Sequence, residues 1–327
     1  MNMSEPLHFI DIPLRGELRH QVAMRKYTGW RAGGVADRMY RPADLADLQV
    51  FLRGMPADEP VYAVGLGSNL LVRDGGLRGT VVLLHGALKV LQLTNANALY
   101  VEAGVPGAKL ARFAALHDLQ GAAFFAGIPG TMGGMLAMNA GCYGSETWQH
   151  VTHVQVLTRR GELQERTPQD YEIGYREVIR IEDRGLSGAP GFSQSSILNP
   201  HSLAEFFVSA TLHFENGDGE TARQEIKYLL SKRIATQPLN LPNAGSVFRN
   251  PPNDHAARLI EQCGLKGKRI GGAQVSEKHA NFIVNTGAAT AADIENLIDE
   301  VRTIVAAKTG IALHPEVRII GETRQHE

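Results

Sequence analysis

The sequence predicts a mixed α+β protein. Short apolar runs bounded by Gly, Pro, Asn or Asp recur as strand patterns through the first two-thirds of the chain. Segments with apolar residues at helical spacing lie between them. After about residue 220 the pattern turns mostly helical and closes on one more strand.

Taken in order, residues 1–24 read as a loosely structured lead-in, and 28–34 as a glycine-rich turn. Residues 36–41 alternate like a strand. The stretch 42–53 places Leu45, Leu48 and Leu52 at helical spacing. A short buried strand at 61–64 runs into Gly65-Leu-Gly-Ser-Asn69. The apolar run 70–72 and a strand at 79–84 follow. Residues 99–103 are strand-like, and 109–117 hold Leu110, Phe113, Ala114 and Leu116 near helical spacing. Residues 127–141 are the densest glycine segment. Strands are expected at 151–157 and 206–214, with a Gly/Ser/Pro-rich insertion at about 183–203 between them.

Helices are expected at 221–233 and 254–263, the latter closed by Gly264. Thr290 with Asp293 forms a capping-box pattern. Ile294, Leu297, Ile298, Val301, Ile304 and Val305 then share one helix face before Gly310. The last strand is expected at 316–320, with Glu316 at its start.

Composition narrows the function. With 43% hydrophobic and 20% charged residues in 327, the chain is long and apolar enough to bury a large core. The 33 basic and 34 acidic side chains argue against a nucleic-acid binder working by bulk positive charge. Two cysteines, Cys142 and Cys263, allow no disulfide framework or metal spacing, and the histidines show no metal-type pairing, so no metal is expected. No apolar stretch is long enough for a membrane helix, and the first residues do not read as a secretory signal. A cytoplasmic protein is the expectation.

The glycine segments are not standard nucleotide motifs. Gly65-Leu-Gly-Ser-Asn69 has Leu70 where a dinucleotide fingerprint needs a third glycine, and strand rather than helix follows. The segment from Gly127 to Gly134 lacks the Gly-Lys-Ser/Thr ending of a phosphate-binding P-loop. Both still suit a phosphate-bearing ligand, because small residues let backbone N–H groups approach it. The bland alternative is that both are only tight turns.

Three residues stand out for chemistry. Arg176, after Gly174-Tyr175, offers a fork for a carboxylate or phosphate. Ser246 follows Ala244-Gly245 and precedes two bulky apolar residues, without the context of a hydrolase nucleophile. Glu316 is a candidate acid or base. His279 is a further polar candidate.

These segments combine into a pattern. The ordered set Gly65-Leu-Gly-Ser-Asn69, Gly127-Ile-Pro-Gly-Thr-Met-Gly-Gly134, Gly174-Tyr-Arg176, Asn243-Ala-Gly-Ser-Val-Phe-Arg-Asn-Pro251, Gly271-Gly-Ala-Gln-Val-Ser276 and Pro315-Glu-Val-Arg318 resembles the UDP-N-acetylenolpyruvoylglucosamine reductase family. The resemblance covers about 25–322. It implies an FAD-binding domain of the PCMH, or vanillyl-alcohol-oxidase, type over 25–218, with subdomains of about 25–90 and 91–218. A C-terminal α/β substrate-binding domain would occupy 219–327.

By the same resemblance, FAD is bound without a covalent link. Its site would be made by Gly65, Leu66, Gly67, Ser68 and Asn69, by Gly127, Ile128, Pro129, Gly130, Thr131, Gly133 and Gly134, and by Asn139, Gly141 and Arg318. The catalytic residues would be Arg176, Ser246 and Glu316. Tyr175, Arg176, Asn250 and Glu316 would contact UDP-N-acetylglucosamine enolpyruvate, with NADPH as co-substrate and no obligate protein partner. Residues Val275-Ser-Glu-Lys-His-Ala-Asn-Phe282 place the chain nearer the subclass without a substrate-covering tyrosine loop. The 183–203 insertion departs from shorter members, as do Glu177 and Val178, where Ser or His is common. A hydroxy-acid flavin oxidase would share the FAD loops but not the Asn243–Pro251 and Pro315–Arg318 elements. A nucleotide-binding module with a decayed site is disfavoured by intact Arg176, Ser246 and Glu316.

Overall fold

The structure is a computed structural model, and it describes residues 13–182 and 205–324. The chain divides into two compact units. One takes Met1–Arg19, Arg38–Gly65 and Gly79–Ile226; the other takes His20–Asp37, Leu66–Arg78 and Lys227–Glu327. The C-terminal unit therefore draws on two N-terminal segments as well as the contiguous stretch after residue 226.

The first unit is built on a five-stranded antiparallel sheet. Its order is Leu163–Arg166, Val151–Thr158, Glu205–His213, Ala98–Glu102, Leu91–Asn95. The strand Val151–Thr158 alternates only in part, because register shifts at Val151/His153 and Gln155/Val156 put Val156 and Leu157 both into the core. Helix Leu45–Arg53 begins where Asp44 accepts the Asp47 N–H at 2.9 Å. It buries Leu48, Phe51 and Leu52, and Phe51 stacks on Tyr40 at 3.8 Å. Tyr40, Leu48, Phe51, Val82, Leu157, Phe206 and Val208 share one core.

A polar knot holds the start of the Glu205–His213 strand. Glu205 accepts Tyr171 Oη–H at 2.9 Å and faces Arg166 at 3.3 Å and Arg180 at 3.4 Å. Burial and the Glu205 charge push the Tyr171 phenol up, so it stays a neutral donor. The 183–203 insertion lies outside the described residues.

The second unit carries a three-stranded antiparallel sheet, Arg269–Ile270, Ala273–Val275 and Ile283–Asn285. Helices Ala256–Gln262 and Ala291–Thr309 pack in the same core. The second helix follows its sequence signals closely. Thr290 and Asp293 form the reciprocal capping box, and Ile294, Leu297, Ile298, Val301 and Val305 are buried. Gly310 ends the helix at φ 72°, in the left-handed region. Strand Leu70–Val72 pairs in parallel with Arg318–Ile320, and Arg73 grips Glu295 at 2.8 Å.

Two expectations change. The lead-in is not unstructured up to residue 24: Glu17–Ala23 is a strand and Met24–Lys26 a single 3-10 turn. That strand is mostly exposed, so it shows no apolar alternation to read. The last strand begins at Arg318 rather than at Glu316. Pro315 makes an isolated bridge to Phe248, which bends the chain away and leaves Glu316 between bridge and strand.

Candidate active site

In the second unit, Glu316 is tied through its main chain to Val247, the residue after Ser246. The loop around Ser246 starts with an Asx turn, in which Asn243 Oδ1 accepts the Gly245 N–H at 3.0 Å. Gly245 takes φ 77°, a conformation that glycine reaches at least cost, and turns the chain into half-buried Ser246. Val247 and Phe248 follow, 1% and 2% exposed, and sink the loop into the core. The Val247 carbonyl accepts the Glu316 N–H at 2.7 Å, one residue from Ser246.

Asn69, from the first glycine segment, brackets Glu316 from the other side. Its Nδ2 donates to the Glu316 carbonyl at 3.2 Å, and its own carbonyl accepts the Arg318 N–H at 2.9 Å. Ser246, Glu316, Arg318 and Asn69 thus form one backbone-linked group. Asn250, expected at the substrate, accepts the Ala256 N–H at 3.1 Å through Oδ1, so it steadies the start of helix Ala256–Gln262. His279 is held neutral: burial pulls it below the usual histidine range, and its Nδ1 accepts the Asn281 N–H at 3.3 Å.

Arg176 belongs to the first unit. It sits in the two-residue loop of the hairpin Tyr171–Gly174/Glu177–Arg180, at φ 59°. Its Nη2 donates to the Gly141 carbonyl at 2.7 Å and its Nη1 to the Asn139 carbonyl at 3.4 Å. Its guanidinium lies 5.4 Å from the centre of the exposed Tyr175 ring. Asn139 spends its side chain inside the protein. Nδ2 donates to Glu146 at 2.8 Å and to the Gly174 carbonyl at 3.1 Å, and Oδ1 accepts the Trp148 N–H at 3.2 Å. Asn139 and Gly141 therefore serve Arg176 directly, through their carbonyls.

The two glycine segments differ. Among the described residues, the N–H groups of Leu66, Gly67, Ser68 and Asn69 have no protein acceptor. Four consecutive open donors suit an anionic ligand. Gly67 stands at φ 61°, and a Cβ there would strike the Tyr27 carbonyl. At Gly65 a Cβ would strike Thr131 Oγ1. The second segment is fastened instead: Met132 N–H donates to Val105 and Gly133 N–H to Ala103, each at 2.9 Å. Gly130 N–H turns back to Ile128, around Pro129, and a Cβ on Gly127 would come within 2.7 Å of the Tyr143 ring. Gly134 is the exception. It is exposed, and a Cβ there would meet nothing within 4 Å.

That contrast gives a prediction. Gly134 lies inside helix Met132–Ala137, so Gly134→Ala should stabilise the flavin-free protein by about 0.5–1 kcal/mol. If the open space belongs to FAD, the same methyl should weaken FAD binding by about tenfold or more. Melting of the flavin-free chain and FAD titration check the two signs. Unchanged FAD affinity would remove Gly134 from the cofactor contacts.

Comparison with known proteins shows the family. Residues 237–320 match the family model described as UDP-N-acetylenolpyruvoylglucosamine reductase, C-terminal domain, and residues 36–167 match the model described as FAD binding domain. UDP-N-acetylenolpyruvoylglucosamine reductase of Nitrosospira multiformis is 56% identical, covering 100% of this chain and 95% of the relative. The chain belongs to the UDP-N-acetylenolpyruvoylglucosamine reductase family. The reductase of the same name from Alkalilimnicola ehrlichii is 54% identical over 94% of this chain and 96% of its own length. The crystal structure of the Thermus caldophilus enzyme is similar at TM-score 0.73 and 28% identity, covering 93% of this chain and 98% of that one.

Family membership makes the chain an oxidoreductase with FAD as its cofactor. The open N–H groups of Leu66–Asn69 suit the phosphates of such a group. Among the described residues no cluster of His, Cys, Asp or Glu suits a metal ion, and no helix is long and apolar enough to cross a membrane. Sequence reasoning passed over Asn281, which bonds to Val247 and Phe248 beside Ser246. Its signal was an asparagine inside the apolar run Ala280–Val284.

Proposed function

We propose that the chain reduces UDP-N-acetylglucosamine enolpyruvate to UDP-N-acetylmuramate, with NADPH as reductant, for peptidoglycan precursor synthesis. The observation that carries this reading is the backbone bond from Glu316 to Val247, which pairs an acid with the serine loop in a chain of this family.

FAD, when bound, would supply hydride transfer between NADPH and C3 of the enolpyruvyl group. The residues of the chain handle the charge and the proton. Negative charge builds at C2 and spreads into the substrate carboxylate. Fixed donors aimed at that charge accelerate the step, because they act most strongly in the transition state. Arg176 sets its cation on the carboxylate, and the Asn139 and Gly141 carbonyls fix the plane of its fork. Glu316 acts in its protonated form as a hydrogen-bond donor, since an anion there would repel the growing charge. Ser246 gives its hydroxyl proton to C2. Serine is a weak acid, but an enolate dianion is a strong base. Leu66–Asn69, Gly127–Gly134 and Arg318 hold the cofactor, and Tyr175 and Asn250 border the substrate.

The visible spectrum of the purified protein tests the reading. The flavin band should bleach with NADPH under anaerobic conditions and return on adding the enolpyruvyl nucleotide. A band that bleaches but does not return would sink the substrate assignment and leave the cofactor standing.

A further inference from the structure

We propose that Asn281 is a positioning residue for Ser246. The inference rests on the proton-donor reading of Ser246 above. Asn281 is 4% exposed and lies 33 residues along the chain from Phe248. It takes up three main-chain groups of the serine loop. Its carbonyl accepts the Val247 N–H at 2.9 Å. Its Oδ1 accepts the Phe248 N–H at 2.9 Å, and its Nδ2 donates to the Phe248 carbonyl at 2.8 Å. The amide orientation is fixed by its partners, since a backbone N–H can only donate and a carbonyl only accept.

The fourth group of that dipeptide, the Val247 carbonyl, goes to the Glu316 N–H at 2.7 Å. Val247 and Phe248 thus have all their main-chain hydrogen bonds committed, to Asn281 and to Glu316. Ser246 stands one residue before this clamp. The serine hydroxyl can lie in line with C2 only if the backbone beside it does not shift.

Asn281 is itself anchored. Ser276 Oγ accepts the N–H groups of Lys278 at 3.1 Å and His279 at 3.3 Å. The Ser276 N–H donates to the Phe282 carbonyl at 2.8 Å, and the Asn281 N–H donates to His279 Nδ1. The loop 276–282 is therefore a rigid mount that delivers one side-chain amide to the serine loop. An apolar residue at 281 would keep the carbonyl contact to Val247. It would leave the N–H and C=O of Phe248 without partners in a dry site.

The test uses the full-length, FAD-loaded chain with Asn281→Ala and Asn281→Asp. Asp keeps the acceptor for the Phe248 N–H and loses the donor, so it should fall between Ala and wild type. Reduction of the flavin by NADPH should keep its rate. Its reoxidation by the enolpyruvyl nucleotide should slow about 10²-fold in the Ala variant, as misplacement of a reacting group predicts. Backbone amide exchange in the peptide 243–251 should speed up in the same variant, with or without substrate. Thr290→Ala, which removes the cap of helix Ala291–Thr309 in the same unit, should lower stability without changing the ratio of the two half-reactions.

Asn281 variants that slow both halves alike, or neither, overturn the positioning role, even if they melt lower. Ser246→Ala measured alongside separates the two readings. A slow Ser246→Ala beside an unimpaired Asn281→Ala overturns the positioning alone. A wild-type rate in Ser246→Ala overturns the proton-donor reading and this proposal with it.

Discussion

Ser246→Ala is expected to slow reoxidation of the reduced flavin by the enolpyruvyl nucleotide about 10³-fold, within the span usual for losing a positioned acid. Reduction of the flavin by NADPH should keep its rate. The asymmetry follows from the chemistry. The hydroxyl is needed only when C2 takes its proton, so its loss belongs to one step. The change should not disturb the fold. Val247, Phe248, Asn281 and Glu316 hold the loop by main-chain bonds that do not involve the serine side chain. Ser246→Cys sharpens the test, because a thiol is a stronger acid than an alcohol and should restore part of the lost rate. Rapid-mixing absorbance of each half-reaction gives the answer, and equal slowing of both halves would remove Ser246 from the proton step.

How much of this was readable beforehand depends on how local each signal is. The helix Ala291–Thr309 announces itself through Thr290, Asp293, its apolar face and Gly310, and all lie within one short stretch. The strand Glu17–Ala23 does not, because its residues are mostly exposed and carry no apolar alternation, although the strand that it pairs with, Val35–Arg41, is the next one in the chain. Glu316 was visible as an acid but was placed in a strand. The bridge from Pro315 to Phe248, which displaces it, joins residues far apart in the chain. The glycines were read by their number. Only the fold separates Gly65 and Gly67, crowded by protein, from Gly134, which faces open space. Asn139 shows the same limit. It was placed at the cofactor by the resemblance alone, and only the fold shows its side chain bonded to Glu146, Trp148 and Gly174.

Arg176→Gly should separate stability from activity. Arg176 occupies the second position of a two-residue hairpin loop at φ 59°, where glycine or asparagine is the usual choice. Holding a side chain there costs about 1–2 kcal/mol. Glycine would remove that strain. It would also lose the bonds to the Gly141 and Asn139 carbonyls and add chain entropy to the unfolded state. These terms oppose one another at similar size, so the melting temperature should stay near that of the wild type.

The reduction of the enolpyruvyl nucleotide should not survive so well. Removing a preorganised donor from a developing anion costs about 10²–10³-fold in rate. Arg176→Lys keeps the charge but not the planar fork, and should recover only part of that loss. A strained residue that can be relaxed without loss of stability, but not without loss of rate, is being held in place for the reaction. If Arg176→Gly instead melted far below the wild type and slowed both half-reactions equally, the arginine would be a fastener of the hairpin to Asn139 and Gly141, and its place at the substrate carboxylate would have to be given up.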